Sequence, residues 1–401
     1  MTPRGAGGTR SYEMARRLIE RGHRVTMICG SYAGANIGLH GKPVRGIRKG
    51  DVDGIHVVEF CLPYSNYDSF LKRAWIFLRF AVQSSIFALT YDYDLLFATS
   101  TPLTVGIPGI VGRLLRRKPF VFEVRDLWPE LPREMGIITN PLVLKAMDLV
   151  EWLSYHFANA CIGLSPGIVK GIKDRGIASR AITMIPNGCD LDLFDPEKSD
   201  PVCPEGVKEG DFTAIFTGAH GIANGLDAVL DVALELKKRG RKNIKLVFIG
   251  DGKLKPELKQ RAKLEQLENC VFLDPVPKRE LACFLQGVDA GMMILANVPA
   301  FYYGTSPNKF FDYIAAGLPV LNNYPGWLAD MITENKCGIA VPPEDPEAFA
   351  NVLEYLADHR NEAAEMGKNA RMLAEHMFDR RKLADKFVDW LEEIVDRRLP
   401  R

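Results

Sequence analysis

The chain has 401 residues, 47% of them hydrophobic and 25% charged, with 51 basic and 50 acidic side chains and a formal net charge of +1. That length exceeds the size at which single cores usually divide, so two domains are expected, and the composition excludes disordered and fibrous chains. The balance is uneven: residues 1–195 carry about +6 and the remainder about −5, so the N-terminal half is the one suited to anionic material.

The chain opens on a glycine-rich stretch, Pro3-Arg4-Gly5-Ala6-Gly7-Gly8, almost at Met1. A doubly wound domain normally begins with a strand feeding such a turn, so the N-terminal domain is expected to lack its first strand, through truncation or a late start. Strands are predicted over residues 24–29, 95–99, 120–124, 160–164 and 181–185, with amphipathic helices between them. Residues 69–90 mix Trp75, Phe77, Leu78 and Phe80 with Lys72, Arg73 and Arg79, and residues 113–118 add Arg113, Arg116, Arg117 and Lys118. A core helix with a solvated charge run is one reading; a surface lying on a membrane is favoured, because two basic-apolar clusters share one domain. Residues 196–210 break the pattern with Pro, Ser, Asp, Glu and Lys. A second strand series follows at 213–216, 245–249, 270–273, 290–295 and 320–322, again with helices between. Both halves therefore read as α/β with doubly wound, Rossmann-like parallel sheets.

The eight cysteines are scattered, without CxxC or zinc-like spacing, and read as reduced thiols. No secretory leader and no apolar run of about 18 residues is present, so a cytoplasmic protein is expected. Asp190-Leu191-Asp192 has the spelling of a metal motif but follows a Pro-Asn-Gly turn, where capping is the better reading. No metal, cofactor or nucleic-acid partner is expected.

Three segments carry candidate chemistry. Phe216 to Gly225 (FTGAHGIANG) follows a strand and opens a helix, a junction at which backbone amides approach phosphates. Within it, His220 could donate to a phosphate oxygen. Gly304 to Val320 (GTSPNKFFDYIAAGLPV) reads as loop, helix, glycine stop and buried strand, with Pro307 in the first turn. Lys309 lies where the helix dipole is already positive, a conflict that a bound anion would relieve. Asp312, three residues on, is placed beside Lys309 and could accept hydrogen bonds from a ribose diol. Glu123 to Glu130 (EVRDLWPE) stands at a strand's C-terminal end, where open α/β sheets bind ligands. Arg125 could hold a phosphate there, and Asp126 or Glu130 could accept an acceptor proton.

With Ser11-Tyr12-Glu13-Met14-Ala15, Gly22-His23-Arg24-Val25-Thr26, Ile185-Pro186-Asn187-Gly188-Cys189-Asp190 and Ile249-Gly250-Asp251-Gly252, these segments form an ordered set spanning nearly the whole chain. The set resembles the family-4 retaining glycosyltransferases of the GT-B fold. It is most similar to bacterial enzymes of surface-polysaccharide synthesis, O-antigen and capsule, that transfer N-acetyl-L-fucosamine or related amino sugars. The resemblance implies an N-terminal acceptor-side domain over residues 1–195, joined by a terminal helix at 379–401, and a donor domain over 210–377. It implies a nucleoside diphosphate sugar, with UDP as the nucleotide, and a lipid-linked or saccharide acceptor. By position, Gly218, His220 and Gly221 would line the pyrophosphate with Lys309 and Asn308, Asp312 would hold the ribose, and Val276 would lie near the base. Gly7 and Gly8 would face the phosphates or sugar from the other domain. Lys309 and His220 would stabilise the leaving diphosphate, with Arg125 and Asp126 serving the acceptor side. Two departures stand out: the family's first paired acid is Gly304 here, and Arg125 stands where many relatives have a His. A GT-B nucleotide-sugar 2-epimerase and an inactive sugar-nucleotide-binding scaffold are the competing readings.

Overall fold

In the computed structural model, which describes residue 2 and residues 8–32, 37–65 and 67–396, the chain divides into two compact units. The first unit comprises Met1–Pro186, Tyr303–Ser306 and Arg381–Arg401, and the second Asn187–Tyr302 and Pro307–Arg380. From the start the elements are α1 (Arg10–Glu20), β1 (Thr26–Tyr32), β2 (Ile47–Val52), β3 (Ile55–Tyr64), α2 (Phe70–Thr90), β4 (Leu96–Thr99) and α3 (Gly106–Arg116). Next come β5 (Phe120–Val124), α4 (Glu130–Glu134), α5 (Pro141–Phe157), β6 (Ala160–Gly163), α6 (Pro166–Asp174) and β7 (Ile182–Met184). The second unit contains β8 (Phe212–Thr217), α7 (Asp227–Lys238), β9 (Ile244–Ile249), α8 (Lys255–Leu264), β10 (Cys270–Leu273), α9 (Lys278–Gln286) and β11 (Ala290–Met293). It continues with α10 (Pro299–Gly304), α11 (Asn308–Ala315), β12 (Val320–Asn322), α12 (Trp327–Glu334), β13 (Gly338–Ala340), α13 (Pro346–Asp358) and α14 (Arg360–Met377). The last helix, α15 (Arg380–Asp396), belongs almost entirely to the first unit.

In the first unit the strands form two sheets, a parallel β4-β5-β6-β7 and a three-stranded β1-β3-β2. The hairpin β2–β3 is antiparallel and was not expected from the sequence. Asp53 and Gly54 form its turn, both with positive φ (52° and 85°), the conformation that two-residue hairpin turns require. Strand β5 is buried throughout because helices cover both its faces. Phe120 and Phe122 pack with Tyr155 of α5, while Val121 meets Met14 of α1 and Phe387 and Leu391 of α15. Each fully buried Phe contributes about 2–3 kcal/mol. The close approach of α3 to β5 depends on Gly109, where a Cβ would lie 2.2 Å from the Phe120 ring.

The second unit is a six-stranded parallel sheet in the order β10-β9-β8-β11-β12-β13. Successive crossovers run outward from β8 on one side and from β11 on the other, so the order reverses between these two strands. Ligands of open parallel sheets bind at the C-terminal ends of the strands flanking such a reversal. Strand β8 is fully buried, and Phe212, Phe216 and Phe248 anchor the core with Leu230 and Leu236 of α7 and Leu353 of α13. All eight cysteines are free thiols, and no described helix is long and apolar enough to cross a membrane.

Candidate functional site

At the ends of β8 and β9 two glycine loops interlock. Gly218 (φ 137°) and Gly250 (φ 149°) approach so closely that a Cβ on Gly250 would lie 1.8 Å from the Gly218 carbonyl oxygen. The Gly218 amide donates to Ile249 O (2.9 Å) and the His220 amide to Asp251 O (2.9 Å). These two amides are thus used within the fold rather than offered to a phosphate, contrary to the simplest reading of the glycine loop. The helix expected near residues 226–236 runs from Asp227 to Lys238, and a 3-10 turn at Ile222–Asn224 precedes it. Gly225 (φ 55°) makes the bend, with Ala296 backbone 2.9 Å from where its Cβ would be.

His220 is fully buried, with its ring among Phe216, Phe248 and Phe272 at centroid distances of 6.0, 6.4 and 6.4 Å. Neither ring nitrogen has a hydrogen-bond partner. Desolvation, aided by the Lys255 ammonium, pushes its pKa down to about 4. A ring placed this way is a neutral packing element, so the direct phosphate contact expected of it is not available in this conformation.

Lys309, in the first turn of α11, reaches the reversal point between β8 and β11. Its Nζ donates to Asn224 Oδ1 (2.6 Å) and lies 3.4 Å from Ile294 O, 4.1 Å from the centre of the Phe216 ring. A Cβ on Gly218 would lie 3.5 Å from Lys309 Cε. Desolvation lowers its pKa to about 7, and among the described residues no carboxylate pairs with it. Asn224 fixes this geometry from the other side, donating to Ala219 O at 2.7 Å. Sequence reasoning passed over Asn224; its place beside a left-handed glycine was the available signal.

Asp312 does not join Lys309. Its two oxygens accept from Lys278 Nζ at 2.7 and 2.8 Å in a buried pair, with the Phe194 ring 5.3 Å from the same ammonium. On an eight-residue helix, three positions separate Lys309 from Asp312, but Asp312 turns inward while Lys309 follows the strand ends. A second unforeseen cation, Lys255, bonds Gly250 O, Leu273 O and Asp274 Oδ1, each at 2.8 Å, tying together the ends of β9 and β10. Val276 is half-buried in the loop after β10, and Asn308 begins α11.

In the first unit, Arg10 pairs with Glu123 (2.7 Å) and donates to the carbonyls of Ile185 and Pro186 at 2.9 and 2.7 Å. Thr99 Oγ1 adds a bond to Glu123 at 2.7 Å. Burial opposes ionisation of Glu123, but the Arg10 guanidinium outweighs it and holds the carboxyl below its usual range. Glu123 is thereby a fixed support beneath Arg125 and Asp126, which leave the end of β5. Arg125 is anchored through its amide, which donates to Ser100 Oγ (3.0 Å). Asp126 accepts from Thr101 Oγ1 at 3.1 Å, and desolvation raises its pKa despite the nearby Arg125. Glu130 is exposed at the start of α4, and Gly8 is exposed ahead of α1. Gly7 lies outside the described residues. Asp190 caps the turn after Gly188, accepting from the Leu193 amide (3.2 Å) and pairing with Arg380 (3.3 Å). Among the described residues no group of three or more His, Cys, Asp or Glu side chains could hold a metal ion.

Residues 5–188 match the glycosyl transferase 4-like domain family, and residues 203–373 match the family of glycosyl transferases group 1. The chain is 28% identical over 165 residues to D-rhamnosyltransferase WbpZ of Pseudomonas aeruginosa, covering 41% of each chain. It is 22% identical over 188 residues to O-antigen chain mannosyltransferase C of Escherichia coli, covering 47% of this chain and 48% of that one. The chain thus spans less than half the length of these curated relatives in the matched regions. Among solved structures, Anabaena Alr3699/HepE in complex with UDP and glucose superposes with a TM-score of 0.63 at 16% identity, covering 85% of this chain and 87% of that one. The chain has the GT-B fold, and its two halves match a glycosyl transferase 4-like domain and a glycosyl transferases group 1 domain.

Proposed function

We propose that the protein transfers an amino or 6-deoxy sugar, with retention at the anomeric carbon, from a UDP donor to a lipid-linked or saccharide acceptor in surface-polysaccharide synthesis. The observation that carries this reading is the Lys309 ammonium, desolvated and without a carboxylate partner at the reversal of the second sheet. A diphosphate supplies the missing counter-charge, and bonds that strengthen as charge grows on the leaving group lower the barrier to transfer. Asn224 and the Gly218–Gly221 loop shape the space around it. Asp312, held by Lys278, would accept the ribose hydroxyls on its remaining lone pairs, with Asn308 and Val276 near the nucleotide. On the acceptor side Asp126 suits proton acceptance: burial raises its basicity, and the leaving phosphate shares the task. Arg125 would orient an anionic acceptor, Glu130 and Gly8 would border its approach, and no metal is required. The acceptor's lipid makes the protein peripheral on the cytoplasmic face of a membrane. O-antigen assembly by one relative and UDP binding by the HepE structure support the substrate class.

The test is the donor KM against pH. The unliganded Lys309 loses its proton as pH rises through about 7, so donor binding weakens above that value. Lys309→Arg keeps the charge at all accessible pH and removes the inflection, while Lys309→Ala loses about 100-fold or more in kcat/KM. Full turnover in Lys309→Ala would discard the phosphate assignment.

A further inference from the structure

The second sheet has another concave surface, at the opposite edge from Lys309. There, at the N-terminal ends of the strands, lies a cavity of about 520 Å³. Phe212 opens β8, Asp289 immediately precedes β11, Pro319 immediately precedes β12, and all three line it. Helix α14 supplies one wall: Arg360, Ala364, Lys368 and Arg371 recur at spacings of four and three and so share a face. The end of α9 and the turn from α11 to β12 supply the other, through Leu285 and Leu318. Backbone contact sets the distance between these walls, since a Cβ on Gly367 of α14 would lie 2.2 Å from the Gly317 carbonyl oxygen. The volume falls in the range of sites for small organic ligands, roughly 300–1,000 Å³. Strand β8 is six residues long, so about 17–20 Å of sheet separates this cavity from the donor groups.

The charges on the lining select the ligand. Three of the lining side chains are cations, Arg360, Lys368 and Arg371, and one is an anion, Asp289. Asp289 accepts from the Thr213 amide (2.7 Å) and pairs with Arg360 (2.7 Å), so it offsets one cation and leaves two. Arg371 donates to the backbone carbonyls of Leu191, Phe194 and Ala315 and to the Glu375 carboxylate, and Lys368 reaches Glu365 at 3.2 Å. Both glutamates are exposed and lie outside the lining, where water weakens their pull on the cations. The Arg360 guanidinium also bonds Gly210 O (2.9 Å) and lies over the Phe212 ring, 5.6 Å from its centre. Apolar walls with a cationic rim suit an organic anion; an uncharged sugar would bury hydroxyls with few partners there. We propose that this cavity is a second ligand site. It takes a small organic anion, with its apolar body against Phe212, Leu285 and Leu318 and its charged group between Arg360 and Lys368. The site goes beyond the transfer reaction and does not rest on the donor assignment.

The probe is anilinonaphthalene sulfonate, compared with phenylnaphthylamine, the same ring system without the sulfonate. Titration of the full chain is expected to show a saturable component that Ala364→Trp removes. Ala364 is exposed on α14, so a larger side chain there fills the cavity without entering the core. Lys368→Glu is expected to weaken that component about tenfold or more by reversing the charge at the rim. The uncharged ring system is expected to bind there about tenfold more weakly or worse. Both variants are expected to keep the wild-type melting curve and the thermal shift on adding UDP. Saturating UDP is expected to leave the probe in place, and bound probe is expected to slow hydrogen exchange in peptides covering 285–289 and 360–371. Identical titrations of wild type and folded Ala364→Trp overturn the proposal; if that variant fails to fold, unaltered binding by Lys368→Glu does so. Equal affinity for the uncharged ring system overturns it too, as does displacement of the probe by UDP, which would put the probe in the donor site. The UDP shift reads the donor assignment separately, so either reading can fail alone.

Discussion

Lys309 and His220 both stand at the strand ends of the second sheet, and burial acts on them differently. Lys309 keeps two oxygen partners and an aromatic face, so its charge is tolerated but loosely held, ready for an anion. His220 has neither, and its two unpaired ring nitrogens cost stability for as long as it stays buried. Its folded pKa of about 4 lies below the ordinary value near 6.5, so between these values the unfolded chain binds a proton that the folded chain refuses. Stability is therefore complete above about pH 6.5 and declines as pH falls towards 4, by up to about 3 kcal/mol from this group. His220→Leu should flatten that decline: its melting temperature should drop less than the wild type's between pH 7.5 and 4.5. Identical acid sensitivity in the two proteins would show that the imidazole is not buried as described. A large loss of transfer by a well-folded His220→Leu would return the ring to the chemistry. The sequence placed His220 in the right loop but could not reveal its direction, because that depends on Phe248 and Phe272, from two other strands.

At the scale of elements, α9 and α11 each begin with a cation in the first turn, Lys278 and Lys309, and only one of them is neutralised internally. The Lys278–Asp312 pair bolts the two helices together. Cutting a buried pair on one side leaves an uncompensated charge, so Asp312→Ala should cost about 3–5 kcal/mol, while Lys278→Met/Asp312→Leu should be nearly as stable as wild type. Urea denaturation distinguishes these; an unharmed Asp312→Ala would mean that the carboxylate is not committed to Lys278. Donor affinity is then best measured in the double variant, where loss of ribose contact is not confused with unfolding. Elements of this kind were legible in the sequence to the degree that they announce themselves locally. The apolar runs at 120–124, 270–273 and 320–322 became β5, β10 and β12 with the expected limits. The β2–β3 hairpin escaped although Asp53-Gly54 is a strong turn signal, because Arg48, Lys49, Gly50 and Asp51 hide the alternation of β2. The Lys278–Asp312 bond was invisible because the two residues are 34 positions apart with a strand between them.

At the scale of the whole molecule, each unit has its own sheet structure and core, two sheets in the first and one in the second, and each has its own candidate groups: Arg125 and Asp126 in the first, Lys309, Asn224 and Asp312 in the second. A nucleotide that engages only the second set stabilises only the unit that carries it. A ligand at 100 times its dissociation constant adds about 2.7 kcal/mol to the state it binds. For a unit approaching 200 residues this corresponds to about 5–10 °C in melting temperature. Scanning calorimetry with UDP should therefore show a raised transition assignable to the second unit, through its loss in Lys309→Ala and its survival in Asp126→Asn. A shift that Asp126→Asn abolishes and Lys309→Ala leaves intact would move the nucleotide to the first unit. Where UDP raises a single transition, the same two substitutions assign it: loss of the shift in Lys309→Ala puts the nucleotide on the second unit, and loss in Asp126→Asn puts it on the first.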